Sequence, residues 1–333
     1  MNILNPRIIW KFSRPHTIIG SALSIISIFF LVIISIENYT DIVDKIITHD
    51  FSEKRIGFIP NLLHSLEFHL RILAPTLIAC LLCNIFITGL NQITDVEIDR
   101  INKPNLPIIT GELTTKEATI IVTISLITSL LIAYLHDIYL FYLISVIAGI
   151  GAIYSLPPIR LKQRYSWASL AIALVRGPLI NIGVSFHFIR LFNETASLEK
   201  FPWLLPLTVF ITCFSVGIAW FKDIPDTDGD KQFNIKTLAA TFSKKRALNL
   251  GTQLISATYG FMGIVWFLIP DFNKKLAIQM LIVHTILLLL FYFKSKNTNL
   301  DSQESIKKFY KFYWILFFLE YLLLPILIRY NFI

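Results

Sequence analysis

The sequence predicts an all-α membrane protein that crosses the bilayer about nine times. Three observations lead there. Apolar runs long enough to span a bilayer recur from one end of the chain to the other; hydrophobic residues make up 55% of its 333 residues and the mean hydropathy is +0.64. A soluble domain of this length would not carry so many long apolar runs. Charged residues are confined almost entirely to the intervals between these runs. Two clusters of carboxylates stand at the ends of two of them, where charge is costly and marks function.

The expected spans are residues 17–37, 70–92, 118–136, 138–156, 167–189, 203–222, 249–270, 276–293 and 309–328. Trp10-Lys11-Phe12-Ser13-Arg14-Pro15 leads almost directly into the first, so neither a cleavable signal nor a Ser/Arg-rich transit peptide is expected. Residues 38–69 form the longest polar stretch and are expected as an external loop, with room for a short surface helix. The second span carries Cys80 and Cys83 and ends in Asn91-x-x-x-Asp95-x-x-x-Asp99. Only His136 and Asp137 separate the third span from the fourth. The fourth ends in Tyr154-Ser155-Leu156-Pro157-Pro158-Ile159-Arg160-Leu161-Lys162, where two prolines stop the helix and stiffen its exit. Arg176 lies inside the fifth span and needs a partner or a polar cavity. The sixth span runs into Lys222-Asp223, Asp226, Asp228 and Asp230. The last three spans are separated by short polar intervals. No shift of composition marks a boundary, so residues 1–333 are expected as one integral-membrane domain.

With nine spans, successive loops alternate sides. One side collects about 20 cations and the other about 8, which makes the richer side cytoplasmic, or stromal in a plastid. Both acidic clusters fall on it. Topology and anionic ligands account for the formal charge of +8, and no nucleic-acid module is present. The three cysteines, Cys80, Cys83 and Cys213, lie within spans. Without a second pair, the Cys80-x-x-Cys83 spacing reads as apolar packing.

Asn91, Asp95 and Asp99 are four apart, so on one helix they would share a face near the membrane surface. Asp226 and Asp230 repeat that spacing. Pro225 is placed where a turn or kink begins, and Gly229 lets the backbone approach a ligand. Asp223 is an auxiliary candidate, whereas Asp228 and Glu97 are expected to face water. Carboxylates this close repel one another unless a cation intervenes. Oxygen ligands without Cys or His suit Mg²⁺, which commonly shares its sphere with phosphate. The expected metal ligands are thus Asn91, Asp95, Asp99, Asp226 and Asp230, with two Mg²⁺ ions bridged by diphosphate oxygens. Lys103, Arg160, Lys162, Lys222 and Arg14 are candidates to contact that diphosphate through charge-assisted bonds. Tyr154 and Phe221 are candidates to stabilise a carbocation with their ring faces, and His16 is the one histidine placed near the site. The second and sixth spans also hint at an internal repeat, because each ends in carboxylates and a similar basic string.

Taken together, NxxxDxxxDR, NKPxxP, YSxPPxRLK and KDxPDxxGD resemble the motifs of the UbiA-type membrane prenyltransferases. FSRPHTIIG at 12–20, GLNQITDVEIDRINKPNLP at 89–107, FKDIPDTDGDKQF at 221–233 and FFLEYLLLP at 317–325 are similar to its homogentisate phytyltransferase branch of cyanobacteria and plastids. The resemblance spans residues 10 to 325. It implies a nine-helix bundle around a central cavity open towards lipid, and a prenyl diphosphate bound through Mg²⁺ by both acidic motifs. By motif match, Asn91, Asp95 and Asp99 serve the first cluster and Asp226 and Asp230 the second. The implied reaction joins a phytyl group from its diphosphate to the ring of homogentisate with loss of CO₂, giving 2-methyl-6-phytyl-1,4-benzoquinol on the way to tocopherol. A geranylgeranyl or solanesyl donor, or another aromatic acceptor, is the main alternative. A divalent-cation transporter is a different class, disfavoured because both clusters lie at one face whereas transport sites favour the midplane. A scaffold in a pigment-synthesis complex would leave the carboxylates unexplained.

Overall fold

The computed structural model describes residues 5–47, 58–194, 199–269 and 272–332, with side chains for 5–37, 66–194, 199–269 and 272–331. Every element longer than an isolated bridge is helical among them. A short α1 (Pro6–Phe12) precedes α2 (Pro15–Ile47) and α3 (Phe58–Thr94). Two short helices follow, α4 (Val96–Asn102) and α5 (Pro107–Thr110), then the hairpin of α6 (Thr115–His136) and α7 (Ile138–Ser155). The next membrane segment is composite: α8 (Tyr165–Leu174), a π-helix over Val175–Val184, and α9 (Ser185–Leu191). After it come α10 (Leu204–Gln232), α11 (Leu238–Thr241), α12 (Lys244–Ile264), α13 (Lys274–Lys296) and α14 (Gln303–Phe332).

Among the described residues, eight helical segments are long and apolar enough to cross a membrane, and the protein is a multi-pass membrane protein. The ninth expected span is present as α12. It packs between α10 and α13 like the others, but it opens on Lys244-Lys245-Arg246 and carries Asn249 and Gln253, which lower its hydropathy. The all-α bundle of about nine spans is as the sequence predicts. The stretch at 38–69 holds more helix than the short surface helix expected in an external loop: α2 continues to Ile47 and α3 begins at Phe58, while residues 48–57 lie outside the described residues.

Helix α10 is the axis of the bundle, in contact with α8, the π-helix, α12, α14 and α4. Its buried face is aromatic. Phe214 stacks on Tyr313 with centroids 4.2 Å apart, and the Tyr313 hydroxyl donates to the Phe214 carbonyl at 2.8 Å. Phe221 belongs to this packing, edge-on to Tyr313 at 4.8 Å and to Phe309 at 5.0 Å. It is 1% exposed and does not line the central cavity, so the expected carbocation role is corrected to core packing.

At the end of the bundle that holds the acidic clusters, two loops are stitched together. Lys236 N–H donates to the Gln163 carbonyl at 3.0 Å and Tyr165 N–H to the Lys236 carbonyl at 2.9 Å, forming a parallel bridge between Arg164 and Lys236. The opposite end is tied by Asp137. Its carboxylate caps α7 by accepting from Tyr139 and Leu140 N–H at 3.1 and 3.3 Å, and it meets Arg190 at 2.9 Å and His187 Nδ1 at 3.3 Å.

Candidate active site

The first acidic motif does not lie on one unbroken helix. Asp95 has φ −115° and ψ 17°, so α3 stops at Thr94 and α4 restarts at Val96. The expectation of one continuous helix is thereby corrected: the break falls at Asp95 itself, while Asp99 N–H still donates to the Asp95 carbonyl at 2.8 Å. At the break, Asp95 is gripped by two cations, Arg160 Nη2 at 2.9 Å and Lys162 Nζ at 2.7 Å. The same two side chains also hold the end of α3, with Arg160 donating to the Thr94 carbonyl at 3.1 Å and Lys162 to Thr94 Oγ1 at 2.8 Å. Two strong ion pairs and the two hydrogen bonds to Thr94 offset the helical bond lost there.

The second motif does stay helical. Pro225 sits within α10, and Asp223, Asp226 and Asp230 share its buried face while Asp228 is exposed. Glu97 is exposed as well. Gly229 differs from expectation in what it approaches. A Cβ there would come within 2.3 Å of Asn102 Oδ1, so the missing side chain lets α4 close onto α10 and not a ligand onto the backbone. That contact brings the motifs together. Lys103 Nζ lies 2.8 Å from Asp226 and 3.1 Å from Asp99, and Asn102 Nδ2 donates to Asp230 Oδ1 at 3.4 Å.

Asp99, Asp223, Asp226 and Asp230 are 2%, 6%, 7% and 5% exposed. Carboxylates so buried require partners. Lys222 pairs with Asp223 at 3.2 Å, and Arg14 approaches Asp99 at 3.8 Å. Every cation expected to contact a diphosphate is therefore engaged with a carboxylate here. Burial pulls the Lys103 ammonium down, but Asp226 and Asp99 outweigh it and hold Lys103 above the ordinary lysine value. At Lys162 burial prevails over Asp95, and the ammonium falls to about 8. Arg14 and Arg160 both adopt left-handed backbone, with φ of 55° and 41°. That conformation is uncommon for a residue with a Cβ, and it concentrates at sites where geometry is fixed by function.

The carboxylates adjoin a central cavity lined by Asn91, Tyr154, Lys222, Arg14 and His16, and deeper by Cys80 and Cys83. The three cysteines are free thiols. Opposite lies an aromatic wall formed by Tyr310, Trp314, Phe317 and Tyr321 of α14. Arg176 reaches this wall, with its guanidinium 5.0 Å from the Trp314 ring and 5.8 Å from Phe317. An internal salt bridge is the ordinary expectation for a cation within a span, and Arg176 makes none among the described residues. It is the second residue of the π-helix, which sequence periodicity misses. Pro178 cannot donate to the ladder and disturbs the preceding turn, and Asn181 Nδ2 takes up the carbonyls of Arg176 and Gly177, each at 2.9 Å. Such widened turns cluster at functional sites. The α14 wall, Asn102 and Thr94 are the parts of the site that sequence reasoning assigns no role; Thr94 and Asn102 lie within recognised motifs, and Phe317 and Tyr321 within the FFLEYLLLP string.

Among the described residues, no three His, Cys, Asp or Glu side chains converge tightly enough to hold a metal by themselves. The donor set nonetheless fits a hard divalent cation. Asp99 Oδ2 and Asp230 Oδ2 are buried without a hydrogen-bond partner, and Mg²⁺ is commonly held by one or two carboxylates plus phosphate oxygens.

The model of the UbiA prenyltransferase family matches residues 62–317. The chain belongs to the UbiA prenyltransferase family. A homogentisate phytyltransferase from Synechocystis sp. is 37% identical over 95% of this chain and 94% of that protein. A chloroplastic homogentisate phytyltransferase and a homogentisate solanesyltransferase of Arabidopsis thaliana are each 33% identical over 96% of this chain, covering 74% and 76% of their own lengths. The fold is shared with a solved UbiA homolog from Archaeoglobus fulgidus bound to GPP and Mg²⁺, with a TM-score of 0.61 at 16% identity over 97% of this chain and 99% of that one.

Proposed function

We propose that residues 1–333 act as one prenyltransferase domain that joins a phytyl group to the ring of homogentisate. The observation that carries this reading is the meeting of both acidic motifs and five cations at one end of an apolar, aromatic-walled cavity. The relatives named for homogentisate prenylation, which align with nearly the whole chain, support the choice of acceptor. Charge at one end suits a diphosphate, and the apolar remainder suits an isoprenoid tail that arrives from lipid.

Asn91, Asp95, Asp99, Asp226 and Asp230 would hold Mg²⁺, and Asp223 would assist by orienting Lys222. When bound, the metal supplies positive charge for the departing diphosphate. The chain's own contribution is to place cations where negative charge grows as the allylic C–O bond breaks. Lys103, Arg160, Lys162, Lys222 and Arg14 would transfer part of their pairing from carboxylates to phosphate oxygens. Tyr154, on the cavity wall beside Lys222, offers its ring face to the allylic cation. A homogentisate ring carbon then bonds to that carbon. The ring proton leaves, the acetate arm loses CO₂, and its methylene takes a proton to become methyl. The products are 2-methyl-6-phytyl-1,4-benzoquinol, CO₂ and diphosphate. The cation-rich end would face the cytoplasm or stroma of a cyanobacterial or plastid membrane.

The test is incubation of the membrane-embedded protein with homogentisate, Mg²⁺ and phytyl, geranylgeranyl or solanesyl diphosphate, followed by product identification. A phytylated methylquinol as main product supports the reading. A preference for another donor moves the chain to a sister activity, and no transfer to homogentisate from any donor refutes it.

A further inference from the structure

We infer that Arg176 holds the carboxylate of an acidic aromatic acceptor in the central cavity. This rests on the reading above that an aromatic acid is the acceptor, and it names the group that recognises it. Three cations other than histidine line the cavity: Arg14, Arg176 and Lys222. Arg14 faces Asp99 and Lys222 faces Asp223. The Arg176 guanidinium has neither an ion pair nor a side-chain hydrogen bond among the described residues; it rests on the faces of Trp314 and Phe317. A permanent charge inside a membrane span without a counter-ion is costly. Ring faces recover only part of that cost. An anion entering the cavity would supply the rest.

The position of this cation is held from behind. Asn181 bonds the carbonyls of Arg176 and Gly177, and its own Oδ1 accepts from the Tyr321 hydroxyl at 2.9 Å. The π-helix and α14 are thereby locked in register, which keeps the guanidinium on the cavity wall. Beside it, His16 packs edge-on to Trp314 at 4.9 Å. The wall can thus accept an aromatic ring while the guanidinium takes the ring's acidic arm.

A carboxylate matches this place better than the donor diphosphate does. One planar guanidinium suits one carboxylate, in a two-pronged contact. A diphosphate carries several charges, and the carboxylates that would share a divalent ion with it are gathered around Lys103, Arg160 and Lys162 instead. Loss of CO₂ would also remove the anchored group, so the uncharged product would no longer be held by Arg176.

The experiment compares wild type, Arg176→Met and Arg176→Lys in membranes, with acceptor and donor varied in turn. Homogentisate is set against methylhydroquinone, which lacks the carboxylate. Arg176→Met should raise the KM for homogentisate about 10- to 150-fold, the loss expected for one charged contact. The donor KM should stay within about two-fold. Any preference for homogentisate over methylhydroquinone should collapse, and Arg176→Lys should recover part of it. If Arg176→Met fails to reach the membrane, Arg176→Gln is read by the same criteria. A rise in donor KM with homogentisate KM unchanged would overturn the inference, as would unchanged kinetics for both substrates. If wild type ignores homogentisate but prenylates another aromatic acid, and Arg176→Met loses that acid, the inference stands and the choice of homogentisate falls.

Discussion

Lys103 and Asp226 meet across the two acidic motifs: the lysine Nζ lies 2.8 Å from one carboxylate oxygen of Asp226, while its other contact, at 3.1 Å, is Asp99. One ammonium thus joins α4 to α10 and lowers the mutual repulsion of carboxylates from both motifs. Replacing Lys103 with Met should destabilise the metal-free protein by about 1–3 kcal/mol. Added Mg²⁺ should then raise the melting temperature of the variant more than that of wild type, because the variant lacks its internal cation. Equal Mg²⁺-induced shifts would remove Lys103 from this role.

Asp95 and Asp230 are the carboxylates most directly tested for metal use. Asp95→Asn and Asp230→Asn should each lower turnover by about 100-fold or more, the scale of losing one group that stabilises transition-state charge. Chelation of divalent metal should abolish wild-type turnover, and Mg²⁺ should restore it. Monodisperse elution in detergent checks that each variant is folded. A variant that keeps more than about a tenth of the wild-type rate would take that carboxylate out of the mechanism.

Arg160 and Lys162 now pair with Asp95, yet they are proposed to share the diphosphate. Arg160→Gln and Lys162→Gln should lower kcat/KM for the prenyl donor by about 10- to 150-fold. The homogentisate KM should move far less. Wild-type donor kinetics in both variants would mean that these cations only brace the α3 break and the loop topology.

Gly229 and Asn102 form the close approach of α4 to α10. Gly229→Ala should push Asn102 aside and cost about 1–3 kcal/mol, as overpacking does. Asn102→Ala in the same chain should restore part of the loss, giving a coupling that two independent sites would not show. Thermal unfolding of the single and double variants measures it, and simple additivity would contradict the contact.

Asp137 lies at the far end of the bundle, so it tests stability without touching the candidate site. Burial raises its carboxyl, but Arg190 and the Leu140 N–H prevail and hold it below the ordinary carboxylate value. Its stabilising contribution is therefore complete above the unfolded value near 4 and is lost as pH falls through the lower folded value. Asp137→Asn should melt lower at neutral pH, by an amount equivalent to about 1–2 kcal/mol for the weakened cap and ion pairs. Its melting temperature should also fall less steeply than wild type between about pH 4 and pH 2. Parallel acid limbs would show that other groups govern the transition.

The sequence by itself determined the approximate number and the order of the membrane-spanning segments, because hydropathy is a local property and a bilayer imposes a length on each apolar run. It also located both acidic motifs and the exposure of Asp228 and Glu97, since an acid next to a span must either find a partner or face water. Spacing alone misread Asp95, because three residues four apart share a face only while the helix continues, and Arg160 and Lys162 come from another segment. Gly229 was legible as a close approach, though not as an approach to Asn102. The pairing of Lys103 with Asp226, the π-turn at Arg176 and the α14 wall beneath it were decided by tertiary structure alone. Each depends on which helices become neighbours, and the partners in these contacts lie on elements far apart in the chain. Ion pairing and aromatic contact act over a few ångströms in space, a distance that order along the chain does not record.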